Sequence, residues 1–77
     1  MKKINVENLQ TLFDAIDKNI GRKVLIRFKR TFSKEVISIT GKIKTAFSND
    51  FSPSFFVEGE GKSEEIFANE VRELNIL

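Results

Sequence analysis

The hydrophobic period of this chain changes once, at Gly21, and that change governs most of what it can fold into. Before it, Leu9, Leu12, Phe13, Ile16 and Ile20 recur at the spacings of one helix face. After it, Val24, Ile26 and Phe28 alternate with Lys23, Leu25, Arg27 and Lys29, the two-residue period of a half-buried strand. Asn5 is placed to cap the helix, Ile4 and Leu9 to staple across that cap, and Gly21 to take a left-handed conformation after it. The helix is predicted at about 6 to 19 and the first strand at about 22 to 30.

Thr31 to Lys34 read as a turn. A second alternation follows, with Ile37, Ile39, Gly41, Ile43 and Phe47 set against Ser38, Thr40, Lys42 and Lys44, and it predicts a long strand at about 35 to 47. If Arg30 faces Glu35 across the turn, Phe28 meets Ile37, Ile26 meets Ile39 and Val24 meets Gly41 on a single face. Gly41 in mid-strand predicts a bend or bulge, the device that lets one strand serve two sides of a small barrel. Ser48 to Pro53 read as a loop. Shorter strands are expected at about 54 to 58, 65 to 68 and 71 to 76, separated by the turn Gly59-Glu60-Gly61-Lys62 and a tight or single helical turn at Asn69-Glu70. The predicted fold class is mainly β with one N-terminal helix: a small five-stranded SH3-like or Sm-like barrel, with residues 1–77 forming a single domain.

The chain has no His, Cys, Tyr or Trp. That removes the imidazole base of nucleophile triads, disulfides and thiolate metal sites, so no catalytic residue, metal or cofactor is expected and the protein is read as no enzyme. Gly61-Lys62-Ser63 imitates the end of a phosphate-binding loop, but that pattern needs Gly at position 56, which is Phe, and Glu58 and Glu60 would repel phosphate. The pairs Glu58/Glu60 and Glu64/Glu65 read as solvated carboxylates of a hairpin turn. Met1 to Asn8 carry no apolar run of a targeting signal, and the longest apolar stretches, Val24-Leu25-Ile26 and Phe55-Phe56-Val57, are far too short to span a bilayer. A cytoplasmic protein with no membrane partner is expected.

The formal charge of +2 hides a polar distribution. Residues 18–44 hold nine Lys or Arg against Glu35 alone, whereas residues 45–77 hold two against seven Asp or Glu. Strand alternation places Lys23, Arg27, Lys29, Lys42 and Lys44 on the outward face of the first hairpin, a patch that attracts phosphate backbones. The same patch also suits the acidic half of a neighbouring subunit, or plain solvation. Of the eight Phe, Phe13 and Phe28 belong to the core, and Phe47, Phe51, Phe55 and Phe56 cannot all point inward. An outward Phe beside Asn and Lys suits base stacking or, equally, an apolar contact with a protein partner or a second copy.

Asn8-Leu9-Gln10-x-x-Phe13, Val24 to Phe28, Ile39-Thr40-Gly41-Lys42-Ile43 and Ile66 to Ile76 together resemble the Sm-like superfamily, and within it the Hfq family of bacterial RNA chaperones. The resemblance implies a ring of six or seven subunits, joined edge to edge by the fourth and fifth strands, that binds single-stranded RNA around its pore. Gln10 matches the helix glutamine that contacts uridine-rich RNA in that family, and Phe47 or Phe51 is similar to its stacking aromatic. The family's Tyr-Lys-His before the last strand is replaced by Phe67-Ala68-Asn69, which leaves Asn69 to donate to a base edge and no cation beside it. The expected function is non-enzymatic binding of single-stranded RNA, or nucleic acid more broadly, by a homo-oligomer through Gln10, Lys23, Arg27, Lys29, Lys42, Lys44, Phe47, Phe51 and Asn69. The alternative is a small protein-interaction module, such as a phage or mobile-element inhibitor or adaptor of a host protein.

Overall fold

Six strands rather than five build the sheet in the computed structural model, which describes residues 1–47 and 52–77. The added strand, β1 (Lys2–Ile4), precedes the helix α1 (Leu9–Lys18). There follow β2 (Lys23–Phe28), β3 (Ile37–Phe47), β4 (Ser54–Gly59), β5 (Lys62–Phe67), a 3-10 turn at Ala68–Glu70 and β6 (Val71–Ile76). The sheet is open, in the order β1-β6-β2-β3-β4-β5, with every neighbouring pair antiparallel. Lys-Lys-Ile is too short and too charged to show alternation, which is why the sequence pattern missed β1. Its pairing of Lys2, Lys3 and Ile4 with Ile76, Asn75 and Leu74 is what makes it a strand. Because β6 lies between β1 and β2, its Leu74–Ile76 half is paired on both sides, and only residues 71–73 keep an outer edge that β1 does not cover.

This pairing also resets the helix start. Asn5 caps a turn, its Oδ1 accepting from the Glu7 amide at 2.9 Å. Asn8 caps the helix instead, accepting from the Thr11 amide at 3.1 Å. The helix therefore begins at Leu9, which is exposed, and its buried face is Leu12, Phe13 and Ile16. Gly21, at φ +88°, takes the left-handed conformation its position calls for, and its amide donates to the Ile43 carbonyl at 2.7 Å.

The first hairpin has the register that the alternation demands: Phe28 opposite Ile37, Ile26 opposite Ile39 and Val24 opposite Gly41. Arg30 and Glu35 stand outside that ladder. β2 ends at Phe28, where the Lys29 amide turns to the Glu70 carbonyl (3.0 Å), and a turn closes from the Ser33 amide to the Arg30 carbonyl (3.1 Å). β3 changes partner partway along: residues 37–42 pair with β2 and residues 42–47 with β4, with Lys44 as the extra residue of a bulge. At the changeover two backbones cross closely. A Cβ on Gly41 would lie 2.4 Å from the Glu58 carbonyl oxygen, and one on Gly59 would lie 2.5 Å from that of Thr40. The β4–β5 turn places Glu60 and Gly61 at φ 51° and 77°, the mirror-image turn that suits a twisted hairpin.

One core receives the inward side chains of α1 and of all five strands from β2 to β6, among them Leu12, Ile26, Phe55, Ile66 and Leu74. Burying each contributes roughly 1.5–3 kcal/mol. Ile37, expected in that core, is 43% exposed because β4 does not yet flank β3 there. Among the described residues, no helix is long and apolar enough to cross a membrane.

Candidate nucleic-acid interface

The side chains of β2 that do not enter the core are Lys23, Leu25 and Arg27, and their cross-strand partners on β3 are Lys42, Thr40 and Ser38. These six residues form the outer face of the hairpin. Lys23 and Lys42 lie directly opposite each other, both exposed, and among the described residues neither has a carboxylate within 4.0 Å. Like charges so placed destabilise a sheet by some tenths of a kcal/mol, up to about 1.

The other expected cations are engaged to different degrees. Arg27 Nη1 lies 4.0 Å from a Glu73 carboxylate oxygen, and Lys3 Nζ lies 3.6 Å from the other. Lys44, exposed in the bulge, has its Nζ 3.6 Å from Glu58. Lys29 does not join the outer face: it falls past the end of β2, is half-buried, and its Nζ lies 3.5 Å from the Arg30 carbonyl oxygen.

Arg30 belongs to the basic run in sequence but not to the basic surface. Its Nη2 donates to Glu64 at 2.9 Å, and its Nη1 to Glu70 at 2.9 Å and to the Glu65 carbonyl at 2.7 Å. The guanidinium also lies over the Phe28 ring, 4.8 Å from its centroid. The Glu70 carboxylate, only 7% exposed, accepts from the Phe67 amide as well, at 3.1 Å. The acidic half of the chain thus neutralises part of the basic half within the same molecule. Sequence reading missed this because the partners lie 34 and 40 residues from Arg30.

Three of the four acids of the second hairpin are likewise occupied: Glu58 by Lys44, Glu64 by Arg30, and Glu65 by the Ser54 hydroxyl at 2.8 Å. Among the described residues, no cluster of His, Cys, Asp or Glu could hold a metal ion.

Gln10 is exposed on the first turn of α1, its Nε2 donating to Asp14 at 2.9 Å. Because α1 covers the inner side of the sheet, Gln10 is not brought to the outer cations. Asn69 is exposed in the 3-10 turn, where its carbonyl accepts from Arg72 Nη1 at 3.0 Å. Phe51 and the ring of Phe47 lie outside the described residues. Phe55 is buried and Phe56 half-buried, so these neighbours divide between the two sides of the sheet as alternation requires.

The aromatic that sequence reading overlooked is Phe32, which is 100% exposed in the loop between β2 and β3. Its signal was its position inside the turn Thr31 to Lys34, off both alternating patterns and between Arg30 and Lys34. No family model, no curated protein and no solved structure matches this chain.

Proposed function

We propose that this chain is a non-enzymatic nucleic-acid-binding protein, a small barrel of the SH3-like or Sm-like kind whose outer hairpin face holds the phosphates of single-stranded RNA. The observation that carries the reading is the Lys23–Lys42 pair. Two exposed ammonium groups directly opposed across a ladder cost stability in the free protein: among the described residues neither lies within 4.0 Å of a carboxylate, since Glu58, which faces Lys42 from β4, pairs with Lys44 instead, and a bound phosphate reverses the sign of that cost. Arg27 extends the face along β2. Support for the barrel comes from β3 being shared between two partner strands and from Arg30, which ties the end of β2 to β5 across the gap between them. The extents of 26 × 25 × 20 Å also suit a curled sheet better than a flat one. Assembly into a homo-oligomer and residence in the cytoplasm belong to the same reading.

The test is fluorescence anisotropy of labelled oligo-U, oligo-A and duplex DNA at 50 and 200 mM salt. If Lys23, Lys42 and Arg27 each engage a phosphate of a single strand, affinity falls about 20-fold between the two salts, from a log–log slope of roughly −0.7 per contact. Charge reversal in Lys23→Glu/Lys42→Glu should abolish binding. Retained affinity in that variant, or no binding by the unaltered protein at low salt, refutes the proposal.

A further inference from the structure

Resting on the nucleic-acid reading, we infer that Phe32 is a base-stacking residue, and that it makes the ligand a single strand lying lengthwise along the outer face of the β2–β3 hairpin. Phe32 is the one fully exposed ring among the described residues; Phe13, Phe28 and Phe55 are buried, and Phe56 and Phe67 are half-buried. Its loop supplies the exposed Lys34, while the loop's other flanking cation, Arg30, is spent on Glu64 and Glu70. A bare phenyl in water costs free energy that stacking against a base recovers, and every base has a face to offer.

The position of the ring selects the ligand. Phe32 follows one end of the hairpin ladder and the Lys23–Lys42 pair closes the other, six ladder pairs in all. At about 3.3 Å per residue the ladder alone runs roughly 17 Å, and Phe32 lies beyond its end. Arg27 with Ser38, and Leu25 with Thr40, lie between them on the same face. A single strand can set a base on Phe32 while its phosphates run down to the lysines. A duplex keeps its bases stacked internally and can use only the cationic end.

An anionic membrane is the rival occupant, because Val36 and Ile37 are also exposed next to the loop. A loop tip inserted in a bilayer would hold the lysine pair about two Debye lengths from the headgroups at physiological salt, where its attraction is screened. The lengthwise strand uses both ends of the face, and we take it as the ligand.

The experiment compares the unaltered protein, Phe32→Ala, Phe32→Trp and Lys23→Glu/Lys42→Glu on three labelled nucleic-acid probes, a twelve-nucleotide oligo-A, an abasic strand of the same length and a twelve-pair duplex, and on phosphatidylserine vesicles. Phe32 buries nothing in the fold, so its variants should remain folded. Phe32→Ala should weaken binding of oligo-A about tenfold and leave the abasic strand and the duplex unchanged. Phe32→Trp should keep the affinity, and its indole, the only one in the chain, should lose emission on stacking. Equal affinity of Phe32→Ala and the unaltered protein for oligo-A overturns the inference, as does an equal loss on oligo-A and the abasic strand. Phe32-dependent binding to phosphatidylserine vesicles with no effect on oligo-A assigns the ring to a membrane and also overturns it. An unaltered protein that binds none of the probes removes the nucleic-acid reading itself. Binding that needs Lys23 and Lys42 but ignores Phe32 removes this inference alone.

Discussion

Gly41→Ala probes the closest backbone approach in the fold. The added Cβ would sit 2.4 Å from the Glu58 carbonyl oxygen, where real Cβ contacts do not fall below 3.0 Å, so β3 and β4 must separate by at least about 0.6 Å. Retreat sideways meets the buried Val57, whose Cγ1 would lie 3.0 Å away. A ladder hydrogen bond stretched from about 2.9 to about 3.5 Å is effectively lost. With about 1 kcal/mol for that bond and about 2 kcal/mol for overpacking, the cost is about 3 kcal/mol. A 77-residue domain has about 4–12 kcal/mol in all, and its melting temperature should drop by roughly 12–24 °C. Thermal and urea unfolding followed by far-ultraviolet circular dichroism measure this, since the chain has neither Trp nor Tyr. Gly61 is the control: nothing lies within 4 Å of its would-be Cβ, but its φ is +77°. Gly61→Ala should cost about 1 kcal/mol through conformation alone. Gly61→Asn should recover most of that, whereas Gly41→Asn should be worse than Gly41→Ala. A Gly41→Ala protein within 0.5 kcal/mol of the unaltered one, or rescued by Asn, would refute the steric account.

Two further substitutions test the charge arrangement. Arg30→Ala leaves the buried Glu70 carboxylate with the Phe67 amide as its remaining partner and should cost about 2 kcal/mol in urea unfolding. Arg30→Lys should not restore it, because one ammonium cannot reach Glu64, Glu70 and the Glu65 carbonyl together; an unchanged midpoint in either variant contradicts this. Glu73→Gln frees Arg27 on the outer face and should raise oligonucleotide affinity about two- to threefold with a steeper salt dependence, so a lower affinity counts against the interface.

What the sequence disclosed and what it concealed divide along one physical line. Strand parity is local, so the hairpin register and the outward placement of Lys23, Arg27 and Lys42 could be read from alternation. At Asn69-Glu70, where a tight turn or a single helical turn is expected, the chain forms the 3-10 turn Ala68–Glu70. Partners far along the chain leave no such trace. β1 exists because β6 is there to pair with it, and that pairing moved the helix cap from Asn5 to Asn8. The outward cations looked uniformly available because Glu58 and Glu73, which engage Lys44 and Arg27, sit on strands whose pairing to the hairpin no local pattern encodes. Phe32 was overlooked for the converse reason, since a residue in no periodic pattern gives alternation nothing to report.

β1 also bears on the order in which the molecule assembles and opens. Lys2 pairs with Ile76, so that ladder spans nearly the whole sequence and cannot repay its loop-closure entropy until β6 is already fixed against β2. It is then a three-residue flap held on one side, with Ile4 as the one β1 side chain packed against the core. Its amides should be the first of the sheet to exchange with solvent, at a free energy well below that of global unfolding. In the moment of opening, the core is intact and the outer row of β6 backbone groups stands bare. A strand from another chain that captured β6 then would meet a finished template and displace only three residues to use it.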